Sequence, residues 1–192
     1  MFDQMQWDAD RVVCVDESAT NERSTDRKMG FSPVGVPIHL KRWLKRSQKW
    51  SVLPAMSTEG WFHAIIKQGS ITGDDFEHWL EHDILPKMAR FDGDRDILIM
   101  DNYAIHRRPR VQQLCDRHGV RLVYLPPYSP RFNPIEGSFY DLKAYLRKHY
   151  KVMELGYDKF EDFLQHAIKT KMAGTPQAAE RARGHFRHAG YQ

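Results

Sequence analysis

A chain of 192 residues, 41% hydrophobic and 28% charged, suits one domain with a sizeable core and at most a small appendage. Its 29 Lys and Arg against 25 Asp and Glu leave a net charge of +4, which is compatible with a polyanionic partner but too mild to establish one. Two cysteines without a CxxC pair argue against a disulfide framework or a zinc site. No apolar run approaches the roughly 18 residues of a membrane span, and the opening MFDQMQWDAD is acidic rather than signal-like. A soluble, intracellular protein in a reducing compartment, without a membrane partner, is the expectation.

Residues 1–10 are a polar lead-in. Val12, Val13, Cys14 and Val15 then form the near-continuous apolar run of a strand buried on both faces, and Asp16 ends it. The polar string ESATNERSTDRKMG has no helical period and reads as a loop. Phe31–Pro37 and Trp50–Ala55 are predicted strands flanking a basic tip, KRWLKRSQK, which holds Lys41, Arg42, Lys45, Arg46 and Lys49 without an acid among them. Gly60 turns the chain into WFHAII, another strand, which Gly69 ends.

Thr72 and Asp75 resemble a capping box with Asp in place of Glu or Gln. Phe76, Trp79, Leu80 and Ile84 follow at helical spacing, predicting a helix from 73 to about 84. ILIM is a second buried strand, ending on Asp101. Val111, Leu114, Cys115 and His118 mark a helix with Gly119 as its C-cap, and Arg121–Leu125 a further strand. Ile135, Phe139, Leu142 and Leu146 lie on one helix face, and Phe160, Phe163, Leu164, Ile168 and Met172 on another. The basic tail ERARGHFRHAGYQ, with Arg181, Arg183, His185, Arg187 and His188, is expected to be disordered. Strands first and then helix, strand, helix, strand, helix predict an α/β fold: one mixed sheet with helices packed on it.

Three carboxylates stand out. Asp16 and Asp101 end strands, and Glu136 enters the first turn of a helix. The loop before that helix is stiffened by Pro126, Pro127, Pro130 and Pro134. Active sites of open α/β sheets commonly lie at strand ends. Oxygen donors without a Cys/His cluster suit a hard cation such as Mg²⁺, and two such ions about 4 Å apart assist displacement at phosphorus. Spacing alone leaves a blander reading open: Asp101 and Asn102 form a turn, and Glu136 favours a helix N-terminus.

The strings VDES, DNYAIH and LPPYSPRFNPIEGSFYDLK resemble the catalytic domain of mariner-superfamily DDE transposases, and most of all the DDE superfamily endonuclease domains of bacterial insertion sequences and fungal genomes. In that family an Asp opens DES, an Asp opens DNA-x-x-H and a Glu ends P-P-Y-S-P-x-x-N-P-I-E. Here those positions are Asp16, Asp101 and Glu136, and residues 102–135 between the last two match the family's spacing. WSVLPAMSTEG and IIKQGSITGDDFEHWL are similar to its middle section. The resemblance covers roughly residues 11–148 and implies a ribonuclease H-like fold. It also implies a DNA partner and a catalytic, metal-binding triad of Asp16, Asp101 and Glu136 holding two Mg²⁺ ions, with Mn²⁺ as substitute. Tyr103 and Phe31 depart mildly from the pattern, and Arg131 stands where an acid is usual. Transposases of this type carry an N-terminal helix-turn-helix region that recognises the element's ends. The lead-in 1–10 is too short for one, so a fragment, a truncated product or a domesticated domain is expected, partnered by a homodimer mate or a separate end-recognition domain.

The expected division is therefore a lead-in over 1–10, a catalytic domain over 11–150 and a C-terminal helical extension with a basic tail over 151–192. Lys41, Arg42, Lys45, Arg46 and Lys49 are candidate nucleic-acid contacts because cations neutralise phosphates, and Trp43 among them offers a stacking surface. His106, five residues after Asp101, is a candidate to orient a phosphate or to stabilise the strand-to-helix turn. Lys143, seven residues after Glu136 on about the same helix face, is a candidate phosphate contact, and Asn133 a candidate helix cap. The function expected is metal-dependent DNA cleavage and strand transfer, in the nucleus if the host is eukaryotic. A catalytically silent, domesticated binding module is the alternative, and an enzyme cutting RNA in hybrids a weaker third.

Overall fold

The structure, a computed structural model, describes residues 8–21, 31–38, 48–88, 93–149, 156–157 and 159–192. Among the described residues, one six-stranded mixed sheet carries the fold. β1 (Val12–Val15) and β2 (Ser18–Thr20) lie end to end along one side of β3 (Trp50–Ser57): Ala55 and Met56 pair with β1, and Trp50 to Val52 with β2. β4 (Gly60–Gln68) lies on the other side of β3, antiparallel to it. β5 (Ile97–Met100) pairs parallel with β1, and β6 (Arg121–Tyr124) pairs parallel with β5. Among the described residues, no helix is long and apolar enough to cross a membrane.

The period-2 alternation of β1 and β5 sorts the core into two layers. Val13, Val15, Leu98 and Met100 face α1 (Gly73–Trp79), which widens into a π turn over Leu80–Ile84, and α2 (Pro109–His118). Val12, Cys14, Ile97 and Ile99 face α3 (Pro134–Lys148), α4 (Phe160–Ala167) and α5 (Pro176–His188). These eight strand residues are at most 1% exposed, which explains why β1 and β5 read as continuous apolar runs: each face of each strand has its own layer of helices. Thr72 and Asp75 form the capping box of α1, and Gly119, at φ 70°, closes α2 in the left-handed conformation.

Three sequence expectations are corrected. Phe31–Ile38 contains no strand: Gly35 takes φ 84°, the Val36 N–H donates to the Pro33 carbonyl, and Pro33 and Pro37 have no N–H for a ladder. The string after Asp16 is not all loop, because Ser18–Thr20 pairs with β3. The tail is not disordered: α5 runs through Arg181, Arg183, His185, Arg187 and His188, and its Ala182 and fully buried Phe186 enter the core. A stretch dominated by charged side chains concealed an apolar stripe of Ala178, Ala182 and Phe186 at helical spacing.

One ion pair sets the register of the central strands. Arg11, immediately before β1, donates from Nε to Asp96 Oδ1 at 2.8 Å and from a terminal nitrogen to Oδ2 at 2.5 Å. Asp96 immediately precedes β5 and is fully buried. This bidentate fork holds the two strands at the pairing Val12–Ile97, Val13–Leu98 and Cys14–Ile99. Asp96→Ala should cost about 3 kcal/mol in urea unfolding, the low end for a broken buried pair because Arg11 keeps 31% of its side chain exposed.

Candidate active site

The pairing of β1 with β5 advances at a constant offset, and one step past Val15 and Met100 it sets Asp16 beside Asp101. Neighbouring strands run about 4.8 Å apart, so the two carboxylates leave adjacent strand ends. By alternation both follow Cys14 and Ile99, on the face covered by α3. Asn133 caps that helix, its Oδ1 accepting from the Ile135 N–H at 3.4 Å, and Glu136 stands exposed in its first turn. The cap side chain also reaches across the site: Asn133 Nδ2 donates to Asp16 Oδ2 at 3.0 Å. The helix that brings Glu136 is thereby tied to the strand that brings Asp16.

Electrostatics record the crowding. Burial pushes the Asp16 carboxyl up to about 7, and the negative charges of Asp101 and Glu136 push the same way, against the Glu17 N–H and the His106 cation. Burial also works against the charge of Asp101, but His106 and the Tyr103 N–H hold its pKa below the ordinary carboxylate value. His106 Nδ1 lies 2.6 Å from Asp101 Oδ1, and the Tyr103 N–H donates to the same oxygen at 3.0 Å. Oδ2 stays outside these bonds.

His106 is fully buried. Its Nε2 lies 2.9 Å from Glu17 Oε2, off the line of the N–H, so that contact is an ion pair rather than an aligned hydrogen bond. Burial alone would lower the His106 pKa, but its hydrogen bond to Asp101 and the negative charges of Glu17 and Asp101 outweigh that and hold it at about 9. The imidazole is therefore a cation at neutral pH, clamped between two carboxylates. Its ring packs tilted, at 43°, against Phe76 with 4.7 Å between centroids, and its carbonyl accepts from the Tyr124 hydroxyl at 2.7 Å.

Of the sequence candidates, the structure brings together Asp16, Asp101, Glu136 and His106. The expectation that His106 meets nucleic acid is corrected, because a ring without exposed surface is closed to a DNA phosphate. Its other reading, a stabiliser of the turn after Asp101, matches its contacts. Lys143 is half-buried, two turns along α3 from Glu136. Lys49 is exposed, with Nζ 3.0 Å from Ser70 Oγ. It stands one residue beyond the Thr20–Trp50 pair, roughly 13–17 Å past Asp16 along the strand. Lys41, Arg42, Lys45 and Arg46 lie outside the described residues.

Two participants escaped sequence reasoning. Glu17 becomes the second partner of His106 although it sits 89 positions away in the chain. Asn133 tethers Asp16 as well as capping its helix. The side-by-side acids of VDES hinted at the first, and nothing local hinted at the second. Among the described residues, no three His, Cys, Asp or Glu side chains close on one point as metal ligands. The available donors at the site are nonetheless all oxygen: Asp16, Asp101 Oδ2 and Glu136.

Residues 11–155 match the family of DDE superfamily endonucleases. The chain belongs to that family. No curated protein matches it. Among solved structures it is similar to a Mos1 transposase paired-end complex with the left transposon end (TM-score 0.59, 16% identity, covering 95% of this chain and 56% of that one). It is also similar to a mariner Mos1 paired-end complex with Mg (0.55, 17%, 95% and 56%). A third match is a simian T-cell lymphotropic virus intasome in complex with a PP2A regulatory subunit (0.56, 14%, 92% and 55%). These likenesses establish the ribonuclease H-like fold of transposase and integrase catalytic domains. The chain spans just over half the length of each of these three chains.

The raised carboxyl of Asp16 and the raised imidazole of His106 both make this candidate site sensitive to base. A group whose pKa rises on folding stabilises fully below its unfolded pKa and loses that contribution as pH climbs through the folded value. In metal-free buffer, the melting temperature should therefore fall between about pH 4 and 7 through Asp16, and between about 6.5 and 9 through His106. Asp16→Asn should remove the lower of the two declines, measured by thermal melts in chelator across pH 4–9.

Proposed function

We propose that this chain cleaves DNA phosphodiester bonds in a divalent-metal-dependent reaction and joins the resulting 3′-hydroxyl to target DNA. The carrying observation is the convergence of Asp16 and Asp101, from adjacent parallel strands, with Glu136 on the helix tied to Asp16 through Asn133. Membership of the DDE endonucleases supports the same reading.

The residues fit a hard divalent cation in kind. Their donors are oxygens, and Asp16 is held up to about 7 by burial and by two like-charged neighbours, a crowding that positive charge relieves. Asp16, Asp101 and Glu136 are the residues that would hold Mg²⁺ or Mn²⁺, two ions by the analogy drawn from the motifs. Bound there, the metal would supply positive charge to the attacking and leaving oxygens of an in-line displacement.

The remaining work falls to the protein. His106 fixes Asp101 by its Oδ1 and leaves Oδ2 outside that bond. Glu17 holds the other side of the imidazole, so the ring cannot rotate away from Asp101. Asn133 sets the distance between α3 and β1. Lys49 and Lys143 are assigned to phosphates flanking the reacting one, together with Lys41, Arg42, Lys45 and Arg46. Recognition of particular DNA ends is assigned to a separate domain or to a second copy.

Nicking of supercoiled plasmid in Mg²⁺ and then Mn²⁺ tests the reading. The native chain should nick, Asp101→Ala should not, and His106→Gln should lose about 10–100-fold, as expected when an outer-shell partner is removed. Salt-sensitive DNA binding without metal-dependent nicking would favour the silent binding module instead.

A further inference from the structure

Residues 176–192 lie beyond the span that matches the DDE endonucleases, yet their contacts converge on the segment that carries Glu136. Gly137 directly follows that residue. A Cβ added there would fall 2.4 Å from His185 Nδ1 on α5, so the imidazole of His185 takes the space beside position 137 that a side chain there would occupy. A glycine inside a helix costs about 1 kcal/mol relative to alanine, and close approach is a physical return for it. One turn further, His185 Nε2 donates to Asp141 Oδ2 at 3.0 Å, and Arg181 Nε stands 3.8 Å from the same oxygen.

The other side of Glu136 is held as well. The Tyr191 hydroxyl donates to the Phe132 carbonyl at 2.9 Å, in the turn just before Asn133. Tyr191 is 6% exposed and packs edge-on against the fully buried Phe186, so its hydroxyl has little freedom. The Gln192 carbonyl then accepts from the Ala9 N–H at 2.7 Å, where the chain enters β1 towards Asp16. α5 and the residues after it thus grip α3 on both sides of Glu136 and touch the approach to the strand bearing Asp16.

We propose that this C-terminal segment is a positioning element of the metal site, with Tyr191, His185 and Asp141 as the positioning residues that set Glu136 against Asp16 and Asp101. The inference rests on the proposed metal-binding role of those three acids. It separates the segment from a stabilising extension in a testable way. A strut for Glu136 matters to the metal only while Glu136 can ligate, whereas an element of general stability matters whatever stands at position 136.

The test is calorimetric titration of Mn²⁺ into the full chain. Tyr191→Phe removes one hydroxyl and keeps the buried ring, and His185→Ala removes the second grip. Each is made alone and combined with Glu136→Gln, with a thermal melt for every variant. Each single change should weaken Mn²⁺ binding by about 10-fold, in line with other outer-shell losses, and should leave the weaker binding of Glu136→Gln unchanged. Equal losses in both backgrounds, or no loss from Tyr191→Phe in the native background, would overturn the positioning role. Absence of Mn²⁺ binding by the native chain would overturn the metal reading itself, and with it this inference.

Discussion

The fork between Arg11 and Asp96 is small, yet the site depends on it. Parallel strands do not share a turn that sets their register, so some other contact must choose among slips of the apolar ladder. Here a planar guanidinium meets a fully buried carboxylate at the foot of both strands. Five residues later the same register delivers Asp16 and Asp101 side by side. A slip of one residue would turn one of the acids to the opposite face of the sheet, away from α3 and Glu136.

Carboxylates gathered in this way repel, and the protein answers with local positive charge and hydrogen bonds rather than with distance. His106 neutralises Asp101 and Glu17, the Glu17 N–H and Asn133 Nδ2 donate to Asp16, and Glu136 stays towards solvent. Burial, reinforced by the charges of Asp101 and Glu136, leaves the Asp16 carboxyl pushed up to about 7. Under the proposed metal role, a bound cation would relieve that crowding. The same crowding costs stability in the metal-free protein, because part of the charge repulsion stays unrelieved.

The sheet assigns different tasks to its two faces. α1 and α2 cover one layer and supply Phe76, which holds the His106 ring. α3, α4 and α5 cover the other and bring Glu136 to the strand ends. Ala182, Phe186 and Tyr191 belong to this second layer, so the helices beyond the matched family region share one core with the strand bearing Asp16. Removing them would open that core as well as loosen α3.

Much of this was legible in the residues alone. The uninterrupted apolar runs of β1 and β5 announced strands buried on both faces, Thr72 and Gly119 announced helix ends, and the DES, DNYAIH and NPIE strings announced the three acids. These are local signals, set by propensity, period and capping over a few positions. The pairing of His106 with Glu17, the reach of Asn133 to Asp16 and the contact of His185 on α5 with Gly137 join residues 48 to 117 positions apart. Nothing short-range encodes such contacts. The charged sequence of α5 even pointed the wrong way, since its buried stripe of Ala178, Ala182 and Phe186 has meaning only beside the surface it covers. The sequence by itself determined the elements and the acids at their ends. Tertiary structure decided which of those ends meet, because strand register and helix docking are settled by packing across the whole core.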